Sequence, residues 1–492
     1  MSAPAASATG RLGGVVPGVL AVAVAAPQGV GGAVAPLVVM VGLGVFLLVA
    51  FAYATLARQV PEAGGLYAYV ARGLGRPAGL GAAWLSLAAY HAVQAGLYGV
   101  VGAVAAPLVD VPWWVVAGAC WGAVAVAGLL PVRVTAALVG LVVLAEVAVA
   151  GWRTVVHVRA QGWPGWAAWQ VDVPRPELGL LLLGGALAFV GFETVAAYGA
   201  EARRSKAETR ESGAEARGSG AGARGGRAVP RAAYGAILVL TLLFAAVAVG
   251  SGELPGWTVV PGRWLLVAGL VAGALAVHLA VVRLLAALGR ERVFPAGLGG
   301  LRAASLTQSA SSGLILGAFV ALGTDPAGGW AGRLGLAGGL GVLVLLVGTA
   351  LAALFVLNRQ PAGEGPVRRL VAPVIAVLGL GTLVWLGAVH HGFLLVAATA
   401  PMLVGLAHAA ALRLTQPVVY AGIGLGGRVI VVTPDPAALT AVPGPAALTA
   451  VPGPAALTAG PERDAPESAV VAHPRMPGAH RPERISRGET AG

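Results

Sequence analysis

Gly184-Gly185-Ala186-Leu187-Ala188-Phe189-Val190-Gly191-Phe192-Glu193-Thr194 decides the fold of this chain. It is an oily run with one carboxylate near its end, and Glu201 opens an arginine-rich loop a few residues later. A charged side chain at the centre of a bilayer costs roughly 2.5–3.5 kcal/mol on insertion scales. A chain that keeps one there aims it at a partner, a cavity or a cargo. The glycines weaken the helix around it. The stretch reads as a membrane-spanning helix broken at a functional position, the structural alternative being a carboxylate paired with an internal arginine.

The rest of the chain supports a bilayer setting. Of 492 residues, 58% are hydrophobic and 11% charged, against about 25% charged in soluble domains. The apolar residues fall in runs of about 20, the length a helix needs to cross the hydrocarbon. They lack the alternation of a barrel strand, so the chain reads as an all-α integral membrane protein. About twelve spans are expected, at 15–34, 36–57, 79–106, 113–130, 134–156, 178–200, 232–250, 264–287, 310–323, 334–357, 370–388 and 392–412, making 15–412 the transmembrane domain.

Charge placement orients these spans. With residues 1–14 inside, the inner loops hold 20 basic residues and the outer loops five. Cytoplasmic loops are enriched in Lys and Arg, so both termini are expected in the cytoplasm, in the cell membrane. The net charge of +12 is thereby accounted for without a nucleic-acid partner. The loop 201–231 is charged and carries a glycine-rich insert. From 413 on, the repeats Pro436–Gly444 and Pro445–Gly453 cannot bury a core, and the tail 413–492 is expected to be disordered. Trp152, Trp163, Trp166 and Trp169 mark an outer interface.

Candidate chemistry gathers at two breaks. Pro27-Gln28-Gly29-Val30-Gly31-Gly32 interrupts the first span, where proline removes a helical hydrogen bond and glycine lets the backbone turn away; a simple kink is the alternative. Unwound backbone at membrane depth lines a cavity in secondary transporters, often at matching positions of two inverted repeats. The sixth span would then open the second five-helix half. Glu193 lies eight residues inward of Glu201, about 12 Å, where it can hold an ammonium or carry a proton. Glu146 lies near the midplane and is a second proton-carrier candidate, its alternative a neutral acid hydrogen-bonded across helices. Tyr90 and Gln94, one turn apart on one face, suit a cavity wall. His91, His278 and His408 read as packing residues or relays.

Several chemistries have no signature here. There is no P-loop, no Cys/His metal set and no voltage-sensing arginine ladder. Cys120 is the single cysteine, so no internal disulfide is available. The eighth span contains no Ser or Thr to ligate sodium, which favours protons as the coupling ion.

Three stretches resemble the amino acid–polyamine–organocation superfamily of permeases: Val60-Pro61-Glu62-Ala63-Gly64-Gly65-Leu66-Tyr67-Ala68-Tyr69-Val70 with Gly73-Leu74-Gly75-Arg76-Pro77; Phe189–Glu193 with Glu201-Ala202-Arg203 and Val229-Pro230-Arg231-Ala232; and Ala287-Leu288-Gly289-Arg290-Glu291-Arg292-Val293-Phe294-Pro295. Together they cover about 11–412. The resemblance implies a five-plus-five inverted repeat with two extra helices and broken helices 1 and 6. It implies that Gln28, Gly29, Val30, Gly31 and Gly32 face a substrate's carboxylate end, and Phe189, Val190, Gly191 and Phe192 its ammonium end. The first break differs from the Gly-Ser-Gly type of many members, so a simple amine stays open beside an amino acid. The expectation is a proton-coupled permease of an amino acid or amine, not an enzyme, with no cofactor and no metal. An exchanger, a channel or a non-transporting sensor are the alternatives.

Overall fold

The computed structural model describes residues 18–20, 22, 36–59, 64–163, 175–198, 228–250, 259–326, 329–360 and 363–427. The regular elements among them are all helical. They are α1 (Pro36–Gln59), α2 (Leu66–Leu74), α3 (Arg76–Val109), α4 (Trp113–Ala127), α5 (Val132–Gln161), α6 (Arg175–Leu187), α7 (Ala228–Val249), α8 (Val259–Arg290), α9 (Leu301–Ala321), α10 (Trp330–Arg359), α11 (Ala372–Thr415) and α12 (Pro417–Gly422). A 3₁₀ segment, Phe192–Tyr198, follows α6. Most of the first expected span, including its break at Gln28–Gly32, lies outside the described residues, as do residues 201–227 of the charged loop and 428–492 of the tail.

Among the described residues nine helices, not twelve, are long and apolar enough to cross a membrane. Two differences have a physical reason beyond the undescribed first span. α4 has 15 residues, about 22 Å at 1.5 Å per residue, which is short of the hydrocarbon thickness. The helical run Val367–Thr415 has 49 residues, about 73 Å and too long for a single crossing. It bends at His391, whose φ of −139° and ψ of 40° are not helical. The ninth span begins at Leu301, well before the expected 310. Its Ser305, Gln308, Ser309 and Ser312 lower the hydropathy, yet all four are buried. α5 continues through Trp152 to Gln161, so the first tryptophan of the expected outer loop is helical. Residues 413–427, assigned to the tail by their composition, instead complete α11 and form α12 and a packed turn.

α3 is the element around which the others assemble: α2, α4, α8, α10 and α11 all pack on it. Glycines make the approach close. A Cβ on Gly405 of α11 would stand 2.5 Å from the Leu80 carbonyl oxygen, and one on Gly338 of α10 would stand 2.6 Å from that of Ala89. Small residues at helix contacts let backbones approach where lipid offers no hydrophobic drive. α2 and α3 are separated by Gly75, whose φ of 99° is a conformation glycine adopts without a Cβ penalty; Pro77 then sits in the first turn of α3.

The described helices also pack in a paired pattern. α1, the second expected span, lies on α7, the seventh. α3 lies on α8, and α4 on α9. Contacts between elements five spans apart are what a pseudo-two-fold axis between two five-helix halves produces.

Adding one methyl group at Gly405 tests the α3–α11 contact. Gly405→Ala is expected to destabilise the fold by about 1–3 kcal/mol through overpacking. Gly381→Ala, on the same helix with nothing within 4 Å of its Cβ, is expected to be neutral or slightly stabilising. The measurement is the unfolding midpoint in detergent.

Candidate functional site

The sixth span does break at its glycine-rich stretch. α6 stops at Leu187, residues 188–191 turn, and the 3₁₀ segment starts at Phe192. Gly191 has φ 129°, outside the range that L side chains readily adopt. The freed backbone is capped locally: the Gly191 N–H donates to Glu193 Oε2 at 2.7 Å. The Thr194 hydroxyl donates to the Gly191 carbonyl at 2.7 Å. The second carboxylate oxygen, Oε1, accepts from the Tyr90 hydroxyl of α3 at 3.0 Å. Glu193 thus closes its own helix break and ties it to α3, with 1% of its surface exposed.

A cleft lies beside this carboxylate. It is small, about 20 Å³, and is lined by Glu193, Thr194, Ala196 and Ala197 of the broken span, Ser86 and Tyr90 of α3, Ala280 and Leu284 of α8, Leu345 of α10, and Gly64, Gly65 and Leu66 at the start of α2. The Ser86 hydroxyl donates to the Ala82 carbonyl at 2.7 Å. Every one of the three hydroxyls on this wall therefore spends its proton inward, and lone pairs are what remain to face the cleft. Beyond the cleft, the Arg283 guanidinium of α8 lies 4.0 Å over the Tyr198 ring and donates to the Leu279 carbonyl at 2.9 Å. It is buried within α8.

The structure divides the expected site residues. Tyr90 and Glu193 meet directly. Phe189, Val190 and Phe192 do not line the cleft. They are fully buried, and the two phenylalanines pack with Phe46 of α1 at 5.4 and 5.5 Å between ring centroids; Phe189 also meets Phe244 of α7. Helical rotation through the break turns these rings to α1 and α7 while Glu193 faces α3. Gln94 also leaves the cleft wall. Its amide donates to the Tyr98 hydroxyl at 2.9 Å and the Ala274 carbonyl at 3.2 Å, and its oxygen accepts from Gln308 at 2.7 Å. Glu146 is buried against Gly269 of α8 and is not part of the Glu193 cleft lining. Among the described residues its carboxylate has no hydrogen-bond partner.

The histidines are partnered. His91 contacts the Leu87 carbonyl at 2.7 Å and the Ser311 hydroxyl at 2.8 Å. His278 meets the Ser305 hydroxyl at 3.0 Å. His408 accepts from the Trp84 indole at 3.2 Å. His91 and His278, with Gln94 and Gln308, form a polar seam joining α3, α8 and α9. Sequence reasoning missed this seam; its available signal was the spacing of Ser305, Gln308, Ser309 and Ser312 on one helix face. Cys120 is buried and free. Among the described residues no three His, Cys, Asp or Glu side chains gather as metal ligands.

Neither a family model nor a curated protein matches the sequence. Solved structures do match the fold. A single-residue variant of the manganese transporter of Eremococcus coleocola is 12% identical, covering 86% of this chain and 96% of its own, with a TM-score of 0.52. The same transporter in complex with an aromatic bis-isothiourea compound is likewise 12% identical, covering 86% and 97%, with a TM-score of 0.51. A nucleobase-cation-symport-1 family transporter is 15% identical over 80% of this chain, with a TM-score of 0.35. The likeness to the manganese transporter corrects the resemblance to amino acid–polyamine–organocation permeases, which rested on short loop motifs. What is shared is the fold, an all-α architecture with several helices long and apolar enough to cross a membrane.

The Tyr90–Glu193 hydrogen bond carries an energetic expectation. Tyr90→Phe leaves a buried carboxylate oxygen without its donor and is expected to cost about 1–3 kcal/mol. In a double-mutant cycle with Glu193→Gln, read by reversible unfolding in mixed detergent, the two changes are expected to couple by about 1 kcal/mol or more. Additive effects would remove the bond from its place in the site.

Proposed function

We propose that this chain is a secondary transporter of an amino acid or amine that works by alternating access and couples to protons. Its reading as twelve crossings in a five-plus-five inverted repeat follows from the paired packing, from the bend at His391 and from a first span with its own break. Both termini face the cytoplasm in this reading, supported by the arginine asymmetry of the loops.

The observation that carries the substrate class is the polarity of the cleft wall. Tyr90, Ser86 and Thr194 direct their protons to Glu193, Ala82 and Gly191. Glu193 accepts from Gly191, from its own backbone N–H and from Tyr90, and keeps its remaining lone pair. An ammonium group has three donors and no acceptor, which complements such a wall. Leu66, Ala280, Leu284 and Leu345 suit the carbon body of an organic cation. A carboxylate on the same substrate would need donors, a role left to the Gln28–Gly32 segment. Glu193 orders the site, and Glu146, buried without a described partner, is the proton carrier in this scheme.

A second reading is a divalent cation as cargo, since the manganese transporter shares the fold. Manganese is held by several carboxylate, carbonyl or water oxygens, and Glu193 is the acidic side chain on the described cleft wall. The alkyl lining favours the amine.

Uptake into proteoliposomes with an imposed pH gradient decides between these readings. The panel pairs labelled amino acids with the amines formed by their decarboxylation, and adds manganese as a separate arm. Saturable, gradient-dependent uptake of an ammonium-bearing solute is expected. Glu193→Gln is expected to weaken its half-saturation by about 10- to 100-fold, the worth of a charged hydrogen bond. Manganese uptake without organic uptake would replace the amine reading. Sodium-driven uptake indifferent to the pH gradient would remove the proton.

A further inference from the structure

The turn after α12 is built as a docking element. Gly424, Gly426 and Gly427 have φ of 81°, 65° and 81° on either side of Leu425, left-handed positions that glycine adopts at low cost. That conformation points successive N–H groups to one side, the geometry of an anion-binding concavity. The anion is supplied by the protein. Gly426 donates its N–H to Glu291 Oε1 at 2.7 Å, and Gly424 donates to Glu291 Oε2 at 3.2 Å. Glu291 is 5% exposed and follows the last residue of α8.

The receptor side is specially shaped as well. The Val293 N–H reaches back to the Leu288 carbonyl at 3.0 Å, the bond of a Schellman helix end. Arg292, with φ 59°, occupies the left-handed position where such ends usually place glycine. A non-glycine residue held there stores strain, and the strained residue is the one that orients Glu291. Ile423 is buried, the Gly424 backbone lies against Ala71 of α2, and the Arg76 guanidinium sits 5.7 Å over the Tyr420 ring.

This dock reaches the cleft in three contacts. Glu291 is faced by the Tyr67 hydroxyl of α2. The Tyr67 ring packs against Gly64 so closely that no Cβ would fit there. Gly64 and its neighbour Gly65 line the Glu193 cleft. Burial pushes the Glu291 carboxyl up from its ordinary value, while the nearby Tyr67 hydroxyl, the Gly424 and Gly426 N–H donors and Arg290 pull it back. The donors brought by the C-terminal segment therefore help hold the charge that the segment docks on.

We propose that Pro417–Gly427 is a latch: docked on Glu291, it clamps α2 over the mouth of the Glu193 cleft, and its release admits solvent to the cleft. The latch rests on the reading of that cleft as the transport site, but it is testable without any substrate. Ser86→Cys places a reporter thiol on the cleft wall in a Cys120→Ala background, and a small hydrophilic thiol reagent reports access in nanodiscs. Amide hydrogen exchange at 424–427 reports docking in the same full-length protein. Glu291→Gln weakens the receptor; Gly424→Ala strains the latch and drives a Cβ to 2.7 Å from that of Ala71. Each is expected to speed both exchange and thiol labelling by about tenfold or more, because charge-assisted bonds to a buried carboxylate are lost. Gly422→Ala, with open space around it, is expected to change neither. Should Glu291→Gln fail to fold, Gly424→Ala carries the test from the other partner. Faster exchange with unchanged labelling overturns the coupling to the cleft. No change in either measurement overturns the dock. An absence of transport in the uptake assay touches neither outcome.

Discussion

The hydrogen bonds accepted by Glu193 hold this structure's centre. A helix interrupted inside a bilayer strands backbone groups that water cannot reach, and each costs several kcal/mol unless something inside the protein takes it up. Here one side chain answers that demand. Its Oε2 accepts the N–H that the break exposes at Gly191, and its Oε1 accepts from Tyr90. The same two bonds make a buried carboxylate tolerable. Break and charge therefore stabilise each other: without the glutamate the turn at 188–191 loses its cap, and without the turn the glutamate loses a donor. The Arg283 guanidinium lies on the Tyr198 ring, at the far end of the 3₁₀ segment.

That arrangement depends on α3 standing still. Tyr90 presents its hydroxyl from a helix flanked by close glycine contacts to α10 and α11. The helix is pinned on another side by the polar seam of Gln94, Gln308, His91 and Ser311. Hydrogen bonds between helices in lipid are individually modest, but a connected set fixes rotation about the helix axis, which packing of small residues alone leaves loose. The seam aims Tyr90 by fixing Gln94 one turn away. Gln94 thus belongs to the site's support, although it does not touch the cleft.

Much of the fold was legible because it follows from local composition. The break in the sixth span could be read from Gly184, Gly185 and Gly191 beside Glu193, since glycine and a buried carboxylate act on the helix that contains them. The bend at His391 separates two apolar runs that had been read as two spans. What stayed hidden depends on rotation about a helix axis. Phe189 and Phe192 flank the break in sequence yet turn to α1 and α7, and nothing in an all-apolar stretch says which side meets the cavity. The start of α9 was hidden for the opposite reason: its polar residues look like a loop until α3 and α8 supply their partners. Residues 413–427 look like tail because glycine and proline mark both disordered chain and tight turns. Only Glu291, more than 120 residues earlier in the chain, distinguishes the two.

Fold alone does not choose a cargo, because sites are grafted on folds, so the choice rests on the wall of the cleft. A metal ion gives up its water shell only for a comparable set of oxygens, and an alkyl surface returns none of that hydration. An organic ammonium keeps its charge on one end and carries apolar surface that gains from leaving water, by about 25 cal/mol per Å². Leu284 and Leu345, which share the cleft lining with Glu193, are why the second kind of cargo is the one proposed. The direction of the hydroxyl protons sharpens this preference. Were Ser86 or Thr194 free to rotate, either could donate to an anion. Committed to the carbonyls of Ala82 and Gly191, both offer acceptors only, which is the complement of a hydrogen-bond donor.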